Sequence, residues 1–149
     1  MTPEDWLRRN LTEVFDLPAE AVDWLLMLWG AIQVFDDVAD GDKVIRSDLD
    51  AAIWNTLVAM PRNPFFVVHA ATLAPIVAAM ILKWQASDRA EIAGAPTAMS
   101  YAWRAGYYDV VLMVVHCCKG VEFATKNAHH VMALYGEPLG DYLKEFEHA

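Results

Sequence analysis

The sequence predicts an all-α protein, a single compact bundle of five to seven helices over residues 1–149. Three observations predict it. Apolar residues recur at helical spacing in one run after another, helix-start signatures punctuate the chain, and no stretch alternates apolar and polar residues like a half-buried strand. A chain of this length has room for one hydrophobic core and needs neither metal nor disulfide to hold it.

The stretch Ala19–Asp42, AEAVDWLLMLWGAIQVFDDVADGD, is the organising helix: apolar nearly all round, too short to cross a bilayer, and so expected in the middle of the bundle. Before it, Thr2, Pro3 and Asp5 read as N-cap, first helical position and capping-box acid of a short helix to about Val14. Gly41 fits a left-handed cap after it. Ser47 with Asp50 reads as a second capping box, opening a helix to Met60. In PRNP, Asn63 caps a helix with Pro64 at its first position, extending to about Ser87 and open to a kink at Pro75. Thr97 caps a long fifth helix to Lys119, which Gly120 ends or bends. A sixth helix runs from Val121 to Tyr135, and Pro138 opens a short polar one.

Twenty acidic against eleven basic residues give a formal charge of −9, which argues against nucleic acid or an anionic membrane as the main partner. Hydrophobic residues make up 56% of the chain, a surplus that points to a subunit interface, or to a lipid contact. The expectation is a homo-oligomer. Phe65 to Leu82 is the one passage that imitates a membrane span. With His69 and Pro75 inside it, no second span and an acidic chain around it, the reading is a buried helix of a non-membrane protein. The opening MTPEDWLRRN has no basic region leading into an apolar core, so the expected location is the cytoplasm. Adjacent Cys117 and Cys118 point in different directions on a helix and read as buried thiols.

Four carboxylates, Asp36, Asp37, Asp40 and Asp42, crowd the end of the organising helix. There they face the negative end of the backbone dipole and repel one another, a conflict that bound cations relieve. A solvated acidic turn is the plainer alternative. Hard divalent ions take carboxylate oxygens and leave sites for water or phosphate; Asp88 and Glu91, three apart, are the reserve ligands, unless with Ser87 they cap a helix. Arg104, Tyr107, Tyr108, Asp109 and His116 form a third set. A buried Asp109 needs a partner, and Arg104, His116 or a tyrosine hydroxyl would supply a structural network. Under an enzymatic reading Arg104 contacts phosphate and Asp109 is a further metal ligand. His69, His129, His130 and His148 read as ordinary core or surface histidines.

The DDVAD of Asp36–Asp40 resembles the first aspartate-rich motif of the isoprenoid synthases, in which three acids at the end of a helix hold magnesium for a substrate diphosphate; Asp36, Asp37 and Asp40 match those acids. Asp37, Asp40, Asp88 and Glu91 also look like the paired-acid metal arrangement of the all-helical nucleoside triphosphate pyrophosphohydrolases. These resemblances imply a magnesium- or manganese-dependent protein acting on an isoprenyl diphosphate or a nucleotide. Asp36, Asp37, Asp40 and Arg104 would carry catalysis, Arg104, Tyr108 and Trp84 would contact substrate, and Asp88, Glu91 and Asp109 would complete the metal set. The alternative is a non-catalytic helical assembly protein whose Trp, Met and Phe side chains form an intersubunit surface.

Overall fold

Helix ends leave backbone N–H and C=O groups without partners, so boundaries fall where a side chain or a turn can satisfy them. The computed structural model describes residues 1–147; His148 lies outside them. Among the described residues there are seven continuous helical stretches and no strand. They cluster into two units, Met1–Ala70 and Ala71–Ala149.

In the first unit, Thr2 and Asp5 form the expected capping box, each accepting the other's backbone N–H at 3.1 Å. Helix α1 (Pro3–Arg9) widens into a π-helical turn, Asn10–Val14, where the Phe15 N–H reaches the Asn10 carbonyl. In the wider turn residues four apart stack more directly, and Leu7, Leu11 and Phe15 are all buried. Helix α2 (Ala19–Ala39) is the centre of this unit: α1 and its π turn pack on it, as do α3 (Arg46–Trp54), the π turn Asn55–Ala59 and the short α4 (Met60–Arg62). Only its first half is a core helix. Ala21, Val22, Trp24, Leu25, Leu26, Leu28 and Ala31 are buried, whereas Phe35 and Val38 are exposed. The Trp24 ring stacks on Phe66 at 5.2 Å, and its Nε1 is buried with no hydrogen-bond partner. Burying so large a ring outweighs one unmade bond.

Asn63 joins two elements of this unit. Its Oδ1 accepts the Phe66 N–H at 3.1 Å, capping α5 (Pro64–Ile92), while its Nδ2 donates to the Glu20 carbonyl of α2 at 3.0 Å. The expected cap at Ser47 is not formed: the N-cap position falls two residues earlier, on Ile45, which makes no side-chain cap bond.

Helix α5 passes through Pro75 and ends at Ile92, beyond the expected Ser87. Its buried positions are Phe65, Leu73, Met80 and Ser87, flanked by half-buried residues in rows seven apart, His69, Ile76, Lys83 and Ala90 on one side and Ala70, Val77, Trp84 and Glu91 beside them. The rest of the perimeter is apolar as well, yet Val67, Val68, Ile81 and Leu82 are exposed. This helix is long and apolar enough to cross a membrane, and only 17% of its most apolar window is buried. The buried helix read from the sequence is therefore corrected, because one stripe of neighbours cannot cover a helix that is apolar on all sides.

In the second unit, the fifth helix read from the sequence is broken in two. Thr97 caps α6 (Ala98–Trp103) in a capping box with Ser100, the chain turns at Arg104 and Ala105, and α7 (Gly106–Met132) follows. The turn brings Gly106 against α5. A Cβ there would lie 3.1 Å from the Met80 Cα, so any larger residue would make α5 give way by a few tenths of an ångström. Gly120, at φ +87°, kinks α7 rather than ending it. Val110, Val111, Val114 and Val115 of α7 are fully buried. Helix α8 (Leu139–Lys144) closes the unit through Tyr142.

Replacing Asn63 with Ala removes a cap and an inter-helix bond together, and is expected to lower stability by about 1–3 kcal/mol in urea denaturation. Ser47→Ala is expected to stay within about 0.5 kcal/mol of the parent, since Ser47 caps nothing.

Candidate functional site

The polar centre of the second unit is Glu91, the penultimate residue of α5. Its Oε2 accepts from Ser87 Oγ at 2.9 Å, from the Tyr142 hydroxyl at 2.9 Å and from Arg104 Nη1 at 3.0 Å; Oε1 accepts from Arg104 Nη1 at 3.3 Å. Asp88, one turn earlier, lies 3.6 Å from the same guanidinium nitrogen. Ser100 Oγ accepts the Thr97 N–H at 2.8 Å and stands 2.8 Å from the Tyr142 hydroxyl. Ser87, Ser100 and Tyr142 are buried, and the Glu91 and Arg104 side chains are only 13% and 16% exposed. One carboxylate thus ties α5 to the end of α6 and to α8.

Around this network lie all five tyrosines of the chain. Tyr101 stacks on Tyr135 at 4.9 Å, Tyr108 on Tyr135 at 5.7 Å, and Tyr107 meets Tyr108 edge-on at 5.2 Å. The Tyr101 hydroxyl donates to the Glu137 carbonyl, and the Tyr135 hydroxyl to the Glu137 carboxylate at 3.2 Å. Burial pushes the Tyr108 phenol up to about 12. It also raises Tyr107 and Tyr135, the latter further through the neighbouring Glu137 charge. At neutral pH these hydroxyls are hydrogen-bond donors, not phenolates. Burial likewise raises Cys117, and Cys118 to about 11, so both remain thiols.

Of the candidate residues, the structure gathers Asp88, Glu91 and Arg104 into this network. Asp88 and Glu91 do not cap a helix; they face a cation on α6's end. Tyr108 belongs to the adjoining tyrosine cluster, and Trp84 is half-buried on α5. Asp109 is corrected in two respects. Its side chain is 43% exposed rather than buried, and its partner is Lys83, whose Nζ lies 2.7 Å from Oδ2, not Arg104, His116 or a tyrosine. His116 is exposed. Arg104 stands in the turn between α6 and α7, where Glu91 and Asp88 engage it, while Asp109 lies on α7 opposite Lys83 of α5.

The acids of the first unit occupy the emerging end of α2. Asp37, Asp40 and Asp42 are exposed and Asp36 is half-buried. The Gly41 N–H donates to the Val38 carbonyl at 3.2 Å and the Asp42 N–H to the Asp37 carbonyl at 2.9 Å, with Gly41 at φ +77°. This double closure satisfies the carbonyl end of the helix with backbone alone. Among the described residues, no three His, Cys, Asp or Glu side chains gather in an arrangement that could hold a metal ion. Ser87, Ser100 and Tyr142 were not legible as site residues. Ser87 with Glu91 carries a weak signal in its four-residue spacing, but nothing in the sequence joins Tyr142 to either.

No family model, curated protein or solved structure matches the chain. What the arrangement itself offers is a mostly buried, well-satisfied polar knot in one unit and a solvated acidic helix end in the other.

Glu91→Ala is expected to cost about 1–3 kcal/mol of unfolding free energy, because it removes the nearer carboxylate from Arg104, which keeps Asp88, and takes an acceptor from the Ser87 and Tyr142 hydroxyls. Lys83→Ala, which breaks a half-exposed pair, is expected to cost about 1 kcal/mol or less. Chemical denaturation of the two variants side by side checks the contrast.

Proposed function

We propose that this chain is a helical assembly protein that associates with further copies of itself through the outer face of α5. The carrying observation is the 17% burial of that helix's most apolar window, at a mean hydropathy of 2.2. Exposed apolar surface of this extent favours a partner, since each buried Å² is worth roughly 25 cal/mol. The face suits a second helix: Ala71, Ala74 and Ala78 are small and exposed between the bulkier Val67, Val68, Ile81 and Leu82, so a neighbouring helix can approach closely and interlock. Exposed Ile53, Trp54 and Leu57 on the α3 stretch add apolar surface of the same kind. Self-association accords with the 56% hydrophobic content of a chain that carries a net charge of −9.

A second reading keeps magnesium or manganese and a diphosphate substrate. It is supported by the acid-rich end of α2, where Asp37 and Asp40 are open to solvent beside Asp36. There the ion would neutralise substrate phosphate charge, and the carboxylates would supply part of its oxygen shell.

Three measurements separate these readings. Val68→Glu with Leu82→Glu is expected to convert an oligomer into a monomer in sedimentation velocity at micromolar concentration, with helical circular dichroism unchanged. A monomeric parent overturns the assembly reading, and a parent recovered only from membranes with detergent transfers the face to lipid. For the second reading, magnesium is expected to raise the melting temperature and Asp36→Asn, Asp37→Asn and Asp40→Asn together to abolish the rise. Absence of pyrophosphate release from both an isoprenyl diphosphate and a nucleoside triphosphate removes the enzymatic reading.

A further inference from the structure

Helix α5 carries a row of contacts on one side and a second, open row on the other. The first holds the buried Leu73, Met80 and Ser87. Opposite to it, at the helical turn of about 100° per residue, run Val68, Ala71, Pro75, Ala78, Leu82, Gln85, Arg89 and Ile92. They are spaced alternately three and four apart, and every one is exposed. That is the spacing with which one helix meets another lengthwise.

The side chains in this open row are nearly symmetric about Pro75. Val68 and Leu82 lie seven positions to either side, 76% and 65% exposed, with Ala71 and Ala78 between them. Beyond Leu82 the symmetry ends, because Gln85 and Arg89 enter the row. An identical helix can pair with this one in either direction. In parallel pairing each residue faces its own copy, which sets Arg89 beside Arg89 and aligns the two helix dipoles. In antiparallel pairing the Val68 end of one copy lies over the Leu82 end of the other and the alanines meet at the centre. Arg89 then falls at or beyond Pro64, where the partner's helix begins, and faces no second arginine.

Two observations fit a second copy to this face. No Asp or Glu precedes Asp88 in α5 and no Lys or Arg precedes Lys83, so two chains of net charge −9 meet here on uncharged surface. Pro75 supplies no N–H to the carbonyl of the exposed Ala71, an acceptor that hydrocarbon would leave unpaired, whereas water reaches it at the edge of a helix pair. Given the self-association proposed above, on which this rests, we infer that α5 pairs with α5 of a second copy in antiparallel orientation, across a two-fold axis near Pro75. Large side chains at both ends and small ones at the centre let the same surface serve both partners.

Cross-linking of the purified full chain tests the orientation. Val68→Cys and Leu82→Cys, both at exposed positions, are mixed in equal amounts and treated with a short bis-maleimide; mass spectrometry of the linked peptides keeps links through Cys117 and Cys118 apart. Like positions stand on opposite sides of the axis, separated along it by about 21 Å, so links between positions 68 and 82 are expected to exceed 68–68 and 82–82 links at least about fivefold. In sedimentation velocity, Ala78→Phe is expected to weaken dimerisation at least about tenfold by blocking the close approach, and Arg89→Leu to change it by no more than about twofold. Like-position links in equal or greater yield, a dimer at least about tenfold tighter in Arg89→Leu, or undiminished dimerisation in Ala78→Phe would each leave self-association standing and overturn the antiparallel axis. A monomeric parent overturns the self-association reading itself, and the axis with it.

Discussion

A helix that is apolar on every side needs neighbours on every side, and α5 has them along one stripe. Its buried residues, Phe65, Leu73, Met80 and Ser87, lie along one side of the helix. The remaining perimeter still carries valine, isoleucine and leucine into solvent. The shortfall is arithmetic in origin. A chain of 149 residues that is 56% hydrophobic has more apolar surface than its own helices can cover, and the excess is concentrated on one long helix. Both α3's exposed Trp54 and the small-residue face around Ala74 belong to the same imbalance, which is why association with further copies is the functional reading favoured here.

Inside the second unit the opposite condition holds, with polar groups that are almost fully provided for. Glu91 accepts from three different side chains, drawn from α5 itself, the end of α6, and α8. A carboxylate so placed is strongly held while its partners remain and costly once any is removed. The same knot makes α8 dependent on one tyrosine. A short helix without propensity of its own inherits its stability from that hydroxyl and ring, and hence from the charges that surround them.

The acidic end of α2 illustrates how backbone geometry can resolve a conflict that side chains suggest. Four aspartates beside a helix C-terminus are unfavourable on dipole grounds. The Gly41 turn closes the last carbonyls with backbone N–H groups, and α2 leaves the core before its acids begin, so Asp37, Asp40 and Asp42 are solvated. High dielectric around them weakens their mutual repulsion. Metal binding at that end would add to this arrangement rather than being required by it.

Local signals were legible wherever the deciding interaction spans a few residues. The all-helical class, the Thr2 capping box, the Thr97 cap, the Asn63–Pro64 start, the left-handed Gly41 and a break or bend at Gly120 were all within reach of the sequence, because a cap or a positive φ is settled by neighbours in the chain. The sequence also marked Asp88, Glu91 and Arg104 as residues of interest without determining their use. Tertiary structure alone decided that Glu91 joins Arg104 to Tyr142, fifty-one positions away, and that Asp109 turns to Lys83. It alone showed that Ser47 caps nothing and that α5 is largely uncovered. Each of these depends on residues far apart in the chain, as does the break at Arg104–Ala105. A close approach of Gly106 to Met80 redirects the chain there, and no local pattern encodes which distant backbone a glycine will meet.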